Sequence, residues 1–197
     1  MRVAVWDEHA VGFTWVLDEA FARASHALVD DGHVWLVDPV DVPEAVERAV
    51  ALGTPAGVLQ LLDRHRRDCA AIAARLGVPH LRLPGAVPAT AMEVIRPVDL
   101  PGWREVALWW PRHDALVVAE VVGANAFYTG GAGRVGMHPL LRAWAPGGLR
   151  GLRPRHLLMG HGPAVHGSEA GDELERAHRR ARRDLHRVVL RLPFATR

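Results

Sequence analysis

The sequence predicts an α/β fold in which two packed sheets lie between outer helices. Three observations carry this: short apolar strands alternate with helix-like segments in the first half, more β-like segments follow in the middle, and an amphipathic helix closes the chain. At 197 residues and 49% hydrophobic content the chain can bury one sizeable core, and one domain over 1–197 is the expectation.

Taken in order, β-like runs occupy residues 12–16, 26–29 and 33–37, the last two joined by Asp30-Asp31-Gly32, a turn sequence suited to positive φ. Asp41 followed by Glu44, with Pro43 in the first turn, predicts a capping-box start for a helix that places Val46, Ala49 and Val50 on one face and stops at Gly53. Residues 57–62 are apolar enough for a buried strand. A polar turn at 63–67 leads into a helix through Ile72, Ala73 and Leu76 that ends at Gly77 with Pro79 beyond.

A second set of strands is predicted at 81–83, 92–95, 105–110 and 115–119, with residues 111–114 as a turn. Trp109 and Trp110 are adjacent strand positions, so they point to opposite faces. Residues 123–151 are glycine-rich, including Thr129-Gly130-Gly131-Ala132-Gly133, and read as a loop with a short helix near 140–144. After a strand at 156–159, Ser168 and Glu169 open a helix with Leu174, Ala177, Ala181, Leu185 and Val188 on one stripe.

Composition narrows the function classes. The net charge is +2, all 24 basic residues are arginines, and 22 acidic residues balance them, so the chain is no polycation. Arg176, Arg179, Arg180, Arg182, Arg183 and Arg187 are interrupted by Glu175 and Asp184 and lack interleaved aromatics, which reads as a solvated helix face rather than a nucleic-acid surface. Cys69 is the single cysteine, so no intramolecular disulfide can form. The first nine residues carry charge where a signal peptide is apolar, and no segment reaches the roughly 18 apolar residues of a membrane span. The expectation is a soluble cytoplasmic protein with no membrane partner; homo-oligomerisation is left open.

Val37-Asp38-Pro39 at a strand end, the helix after it, the apolar strand into Asp63-Arg64-His65-Arg66-Arg67-Asp68-Cys69, and the late Gly160-His161-Gly162-Pro163 occur in a fixed order. That order resembles the metallo-β-lactamase fold of glyoxalase-II-like hydrolases, over roughly residues 25–180. The resemblance implies a four-layer αββα sandwich. In that family the strand-to-helix turn carries H-x-H-x-D-H, a later P-G-H adds a ligand, a G-D pair supplies a bridging aspartate, and a late G-H-G closes the site.

On this chain Asp68 falls on the family's aspartate and Cys69 on its last histidine, whereas the first two histidines fall on Arg64 and Arg66. Pro101-Gly102-Trp103 stands where P-G-H would, and an indole cannot coordinate a metal. The first metal site is therefore lost. The second retains Asp68, Cys69, Glu120 and His161, a set able to hold one zinc, iron or manganese ion, with Glu120 one methylene longer than the family's aspartate. The protein with no metal at all is the competing expectation.

Each position also has a plainer role. Cys69 can be a small buried hydrophobe, Asp68 a helix cap, and His65, one residue out of register with the motif, is expected to face solvent. Asp38 corresponds to the family's aspartate that braces the ligand turn. The glycines beside His161 let the backbone approach a ligand or turn sharply.

The resemblance then leaves two readings of function. One is a non-catalytic member that keeps the fold for binding. The other is a single-metal hydrolase of small esters, thioesters or lactones, with Asp68 orienting or deprotonating the water and Arg64 and Arg66 binding a substrate carboxylate or phosphate. Nucleic-acid binding through the arginine face is a weaker third.

Overall fold

The computed structural model describes residues 1–183. Two mixed sheets pack face to face. The first holds β1 (Val3–His9), β2 (Gly12–Leu17), β3 (Ala24–Asp30), β4 (His33–Val37), β5 (Thr54–Gln60) and β6 (His80–Arg82), side by side in that order. Its first four strands are antiparallel neighbours, and β4, β5 and β6 run parallel because α1 (Pro43–Ala51) and α2 (Cys69–Leu76) supply the crossovers.

The second sheet has the order β13, β12, β9, β8, β7, formed by β7 (Glu93–Leu100), β8 (Trp103–Trp110), β9 (Ala115–Val118), β12 (His156–Met159) and β13 (Val165–His166). Between β9 and β12 in sequence lie a small ladder of β10 (Val122–Gly123) with β11 (Gly136–Met137) and the short α3 (Ala126–Thr129). Helix α4 (Glu169–Arg180) packs against β12 and β13. The expected four layers are all present.

Alternation along the strands explains the layering. In β4, Val34 and Leu36 join the cluster under α1 and α2 with Phe13, Trp15, Val46 and Ile72. Trp35 and Val37 point the other way, into the inter-sheet core with Leu59, Leu61, Leu108, Val118 and Leu158. A one-residue slip would exchange these sets, so the two clusters fix the register. Trp110 is buried and Trp109 half-buried, on opposite faces of β8.

Several local expectations are met in detail. Asp31 (φ 46°) and Gly32 (φ 76°) form the turn between β3 and β4, and Gly77 ends α2 with φ 67°. The capping box is not formed. Val42 is the N-cap of α1 without a side-chain bond, because the Asp41 carboxylate is drawn to Arg75 of α2 in a two-point ion pair at 2.7 and 2.8 Å. Strand β1 has no counterpart in the sequence reading, since its apolar run stops after four residues at Asp7 and as an edge strand it leaves every residue exposed or half-exposed. The stripe of α4 holds for buried Leu174, Ala177 and Ala181, whereas Asp184, Leu185, Arg187 and Val188 lie outside the described residues. No helix of the described residues is long and apolar enough to cross a membrane.

Where the two sheets meet at β1 and β13, the rings of His9, His156 and His166 cluster within 5.0 to 6.1 Å of one another, and Asp7 accepts from His166 at 2.9 Å. Burial, and then the neighbouring His166, push the pKa of His9 down to about 4. The unfolded chain binds this proton from its ordinary 6.5 downward while the folded chain does not, so stability falls as pH drops from about 6.5 to about 4. Acidification from pH 7 to 5 is expected to cost about 1–2 kcal/mol through His9. His9→Gln should remove that share of the acid loss, read from urea midpoints at the two pH values.

Candidate functional site

The site forms where three chain turns meet at the carboxyl ends of β5, β9 and β12. After β5, the side chain of Gln60 donates to the Leu62 carbonyl at 2.8 Å and the His65 N–H closes a turn onto the same carbonyl at 3.1 Å. This turn carries His65 inward. The residue is 7% exposed, against the expectation that it faces solvent.

Asp38, in the left-handed region at φ 42°, braces this turn from the end of β4. One oxygen accepts the Leu61 N–H at 3.0 Å and the other accepts from His65 Nδ1 at 3.0 Å. On the far side, His65 Nε2 lies 3.1 Å from Glu120 Oε1 and 3.4 Å from His161 Nε2.

His161 is fixed by its backbone and by one carbonyl. Arg23 and His161 form an isolated bridge, and the Ala124 N–H donates to the His161 carbonyl at 2.9 Å. Both flanking glycines are required by close approach. A Cβ on Gly160 would stand 2.4 Å from the Ala119 carbonyl oxygen, and Gly162 has φ 84° with Ala124 2.8 Å from its would-be Cβ. The ring's Nδ1 is 3.0 Å from the Phe21 carbonyl, which can only accept.

Glu120 is held by a second buried acid. Glu105 of β8 directs a single oxygen at the N–H groups of Ala119, Glu120 and Val121, at 3.0, 2.9 and 3.1 Å. Its own backbone bridges Leu62, just before His65. Glu105 thus registers two turns of the site at once. Burial drives its pKa up to about 7, opposed by those N–H groups, and its other oxygen is buried without a hydrogen-bond partner among the described residues.

The tautomers follow from the acceptors. With Nδ1–H given to Asp38 and to Phe21, a neutral His65 and a neutral His161 both turn an Nε2 lone pair toward the Glu120 carboxylate. Three electron-pair donors then face one another at 3.1, 3.4 and 3.8 Å, an arrangement that either a bound cation or a proton on one Nε2 balances. For bonds of about 2.0–2.2 Å a tetrahedral ion spaces its ligand atoms about 3.3–3.6 Å apart. The three donors lie within 4.8 Å of one another, so the set fits one divalent ion.

The three groups also shift one another's titration. Burial and Arg67 oppose charge on His65, but Asp38 and Glu120 outweigh them and raise its pKa. Burial holds His161 below its ordinary value. Burial would raise Glu120, yet His161, His65 and Arg64 hold it far below the usual carboxylate range.

Of the sequence-derived site residues, the structure brings Glu120 and His161 together and adds His65. Asp68 and Cys69 are placed elsewhere. Asp68 occupies the N-cap position of α2 without capping it, and its carboxylate accepts the Asp41 N–H at 2.8 Å. Cys69 is fully buried between the first sheet and its helices, with Sγ 3.7 Å from the His65 carbonyl, and burial pushes its thiol well above the ordinary value. That shift disfavours the thiolate a metal needs.

Arg64 lines a cavity of about 640 Å³ with Phe21, Arg23, Arg67 and the three donors, whereas Arg66 is exposed and does not line it. Arg64 donates to Glu120 Oε2 at 2.6 Å, and its guanidinium lies 4.4 Å from the centre of the Trp103 ring. The missed residue, His65, carried one signal in the sequence, a lone imidazole inside the turn after a buried strand.

No family model and no curated protein matches the chain. Solved structures do. The DIM-1 metallo-β-lactamase superposes with a TM-score of 0.55 at 15% identity over 91% of this chain and 98% of its own. FIM-1 from Pseudomonas aeruginosa in a mono-zinc form gives 0.55 at 9% identity, covering 92% and 97%. A metallo-β-lactamase from Erythrobacter litoralis gives 0.53 at 12% identity, covering 90% and 95%. The chain has the metallo-β-lactamase fold.

Glu105→Ala would strand three buried N–H groups and is expected to destabilise by about 3 kcal/mol or more. Glu105→Gln keeps a carbonyl acceptor and should cost less, a ranking that urea unfolding of both variants reads directly.

Proposed function

We propose that this protein is a single-metal hydrolase of small esters, thioesters or lactones, in which His65, Glu120 and His161 hold one divalent ion of the zinc, iron or manganese class. The observation that carries it is the convergence of three electron-pair donors, 3.1 to 3.8 Å apart and so close to tetrahedral ligand spacing, on the wall of an open cavity of ligand size. This ligand set replaces Asp68 and Cys69 with His65.

When bound, the ion supplies Lewis-acid chemistry and lowers the pKa of water. The chain's own groups prepare the rest. Asp38 keeps the proton of His65 on Nδ1 and so presents Nε2, and the Phe21 carbonyl does the same for His161. Glu105 fixes the turn on which Glu120 stands. Arg67 and Arg64 bring fixed positive charge to the wall, where a developing oxyanion gains most from it. In the reaction the acyl–oxygen or acyl–sulfur bond breaks, water adds its oxygen to the acyl carbon, and its proton goes to the leaving group.

A second reading, a non-catalytic binding module, is favoured by one observation: Arg64 already occupies Glu120 Oε2, stacked on Trp103, where the resemblance places ligands of the first metal.

Elemental analysis of protein purified without chelator tests the ligand set. About one ion per chain is expected for the wild type, Asp68→Asn and Cys69→Ala, and a near-complete loss for His65→Ala and His161→Ala. Retention in His65→Ala with loss in Cys69→Ala would restore the sequence-derived set instead. Ester, thioester and lactone turnover no higher than that of His161→Ala would leave the binding module as the reading.

A further inference from the structure

The cavity carries more positive charge than its walls neutralise. Its lining holds three guanidinium groups, of Arg23, Arg64 and Arg67, against two carboxylates, of Glu19 and Glu120. Arg23 is spent on Glu19, which it grips at 2.5 and 2.9 Å. Arg67 forms no ion pair among the described residues and donates instead to the carbonyls of Ala24, Asp38 and Gly160, so its charge is fixed but its N–H groups are engaged. Arg64 is also paired, with Glu120, but through one N–H of a side chain that is 43% exposed, so its remaining N–H groups can meet an incoming anion.

The setting of Arg64 suits that task. The guanidinium carbon of Arg64 lies over the indole of Trp103, 4.4 Å from the ring centre, and Trp103 is itself 7% exposed and wedged edge-on against His138. Stacking takes up a face and leaves the in-plane N–H edges for hydrogen bonding. One N–H reaches Glu120 Oε2, and Glu120 turns its other oxygen to His65 and His161. Glu120 takes a single N–H of the guanidinium, so the rest of its planar fork can reach a second carboxylate. Beside it, Ala20 and the 43% exposed Phe21 give the cavity an apolar wall.

We infer that Arg64, stacked on Trp103, is the recognition group for a carboxylate on the substrate, and that the cavity takes small acids whose apolar body lies against Phe21. This deepens the single-ion reading and rests on it for the position of the scissile bond. The carboxylate subsite itself stands on Arg64 whether or not an ion is bound. An ion of charge +2 at His65, Glu120 and His161 would widen the positive excess and strengthen the preference for an anion.

The test titrates succinate and its uncharged analogue succinamide into zinc-loaded and metal-free protein by calorimetry, with zinc content measured on each sample. Wild type is expected to prefer succinate by at least ~10-fold, Arg64→Gln to lose ~10-fold or more in succinate affinity at unchanged zinc content, and Arg64→Lys to fall between them. Arg66→Gln, a charge-matched change outside the cavity lining, is expected to bind as wild type does. Equal succinate affinity in wild type and Arg64→Gln overturns the assignment, as does a tighter fit for inorganic phosphate that Arg64→Gln leaves intact. If wild type holds no zinc, the single-ion reading fails separately. The metal-free titration then decides the subsite by the same comparison.

Discussion

The site depends first on one half-buried cation. Arg67 sits at the end of the turn after β5 and sends its guanidinium to carbonyls of three separate segments, Ala24 at the start of β3, Asp38 at the end of β4, and Gly160 just before His161. Each of those segments delivers something the site needs. Asp38 orients His65, Gly160 admits the His161 turn, and the Ala24 N–H donates to the same Gly160 carbonyl at 2.9 Å. A charge bonded only to neutral oxygens is costly to remove from water, and it is tolerated because Asp38 and Glu120 lie close enough to offset the loss. Arg67 and Asp38 both hold left-handed backbone, φ 40° and 42°, a cost of order 1–3 kcal/mol each that packing around the site has to overcome.

Around that knot, the departure from the resemblance is coherent rather than random. The positions expected to lose first-site ligands have become partners of each other, Arg64 lying on Trp103, so a fixed organic cation stands beside the remaining donors. Glu120, longer than the aspartate the resemblance leads one to expect, spans the distance to both: one oxygen meets Arg64 and the other meets the two imidazoles. The extra methylene thus has a geometric use.

How much of this was legible follows from which contacts use side chains that a pattern can name. The strand and helix order was legible because β4 and the second half of β5 are continuous apolar, buried runs and because Gly77 closes α2, and the order alone led to the right fold. Glu120 and His161 were legible through their neighbours, Ala119 at a strand end and the paired glycines. His65 was not, since its inward turn is made by the Gln60 amide and a backbone bond, and the motif register points to positions on either side of it. Nor could the tautomer of His161 be read, because the Phe21 carbonyl sets it and any residue there would supply one. Asp41 misled for a related reason: a capping residue and an ion-pair partner look alike until Arg75 is placed beside it.

The three donors also differ in the wall they stand on. His65 follows β5 of the first sheet, whereas Glu120 follows β9 and His161 follows β12 of the second. A cation held by all three would bridge the two halves of the sandwich at one end, as the Asp7–His166 contact does elsewhere along their junction. Folding and ion uptake would then be one linked equilibrium, with stability rising as RT ln(1 + [ion]/Kd). Ion supply would in that case set how long the folded chain survives, independently of whether it turns over a substrate.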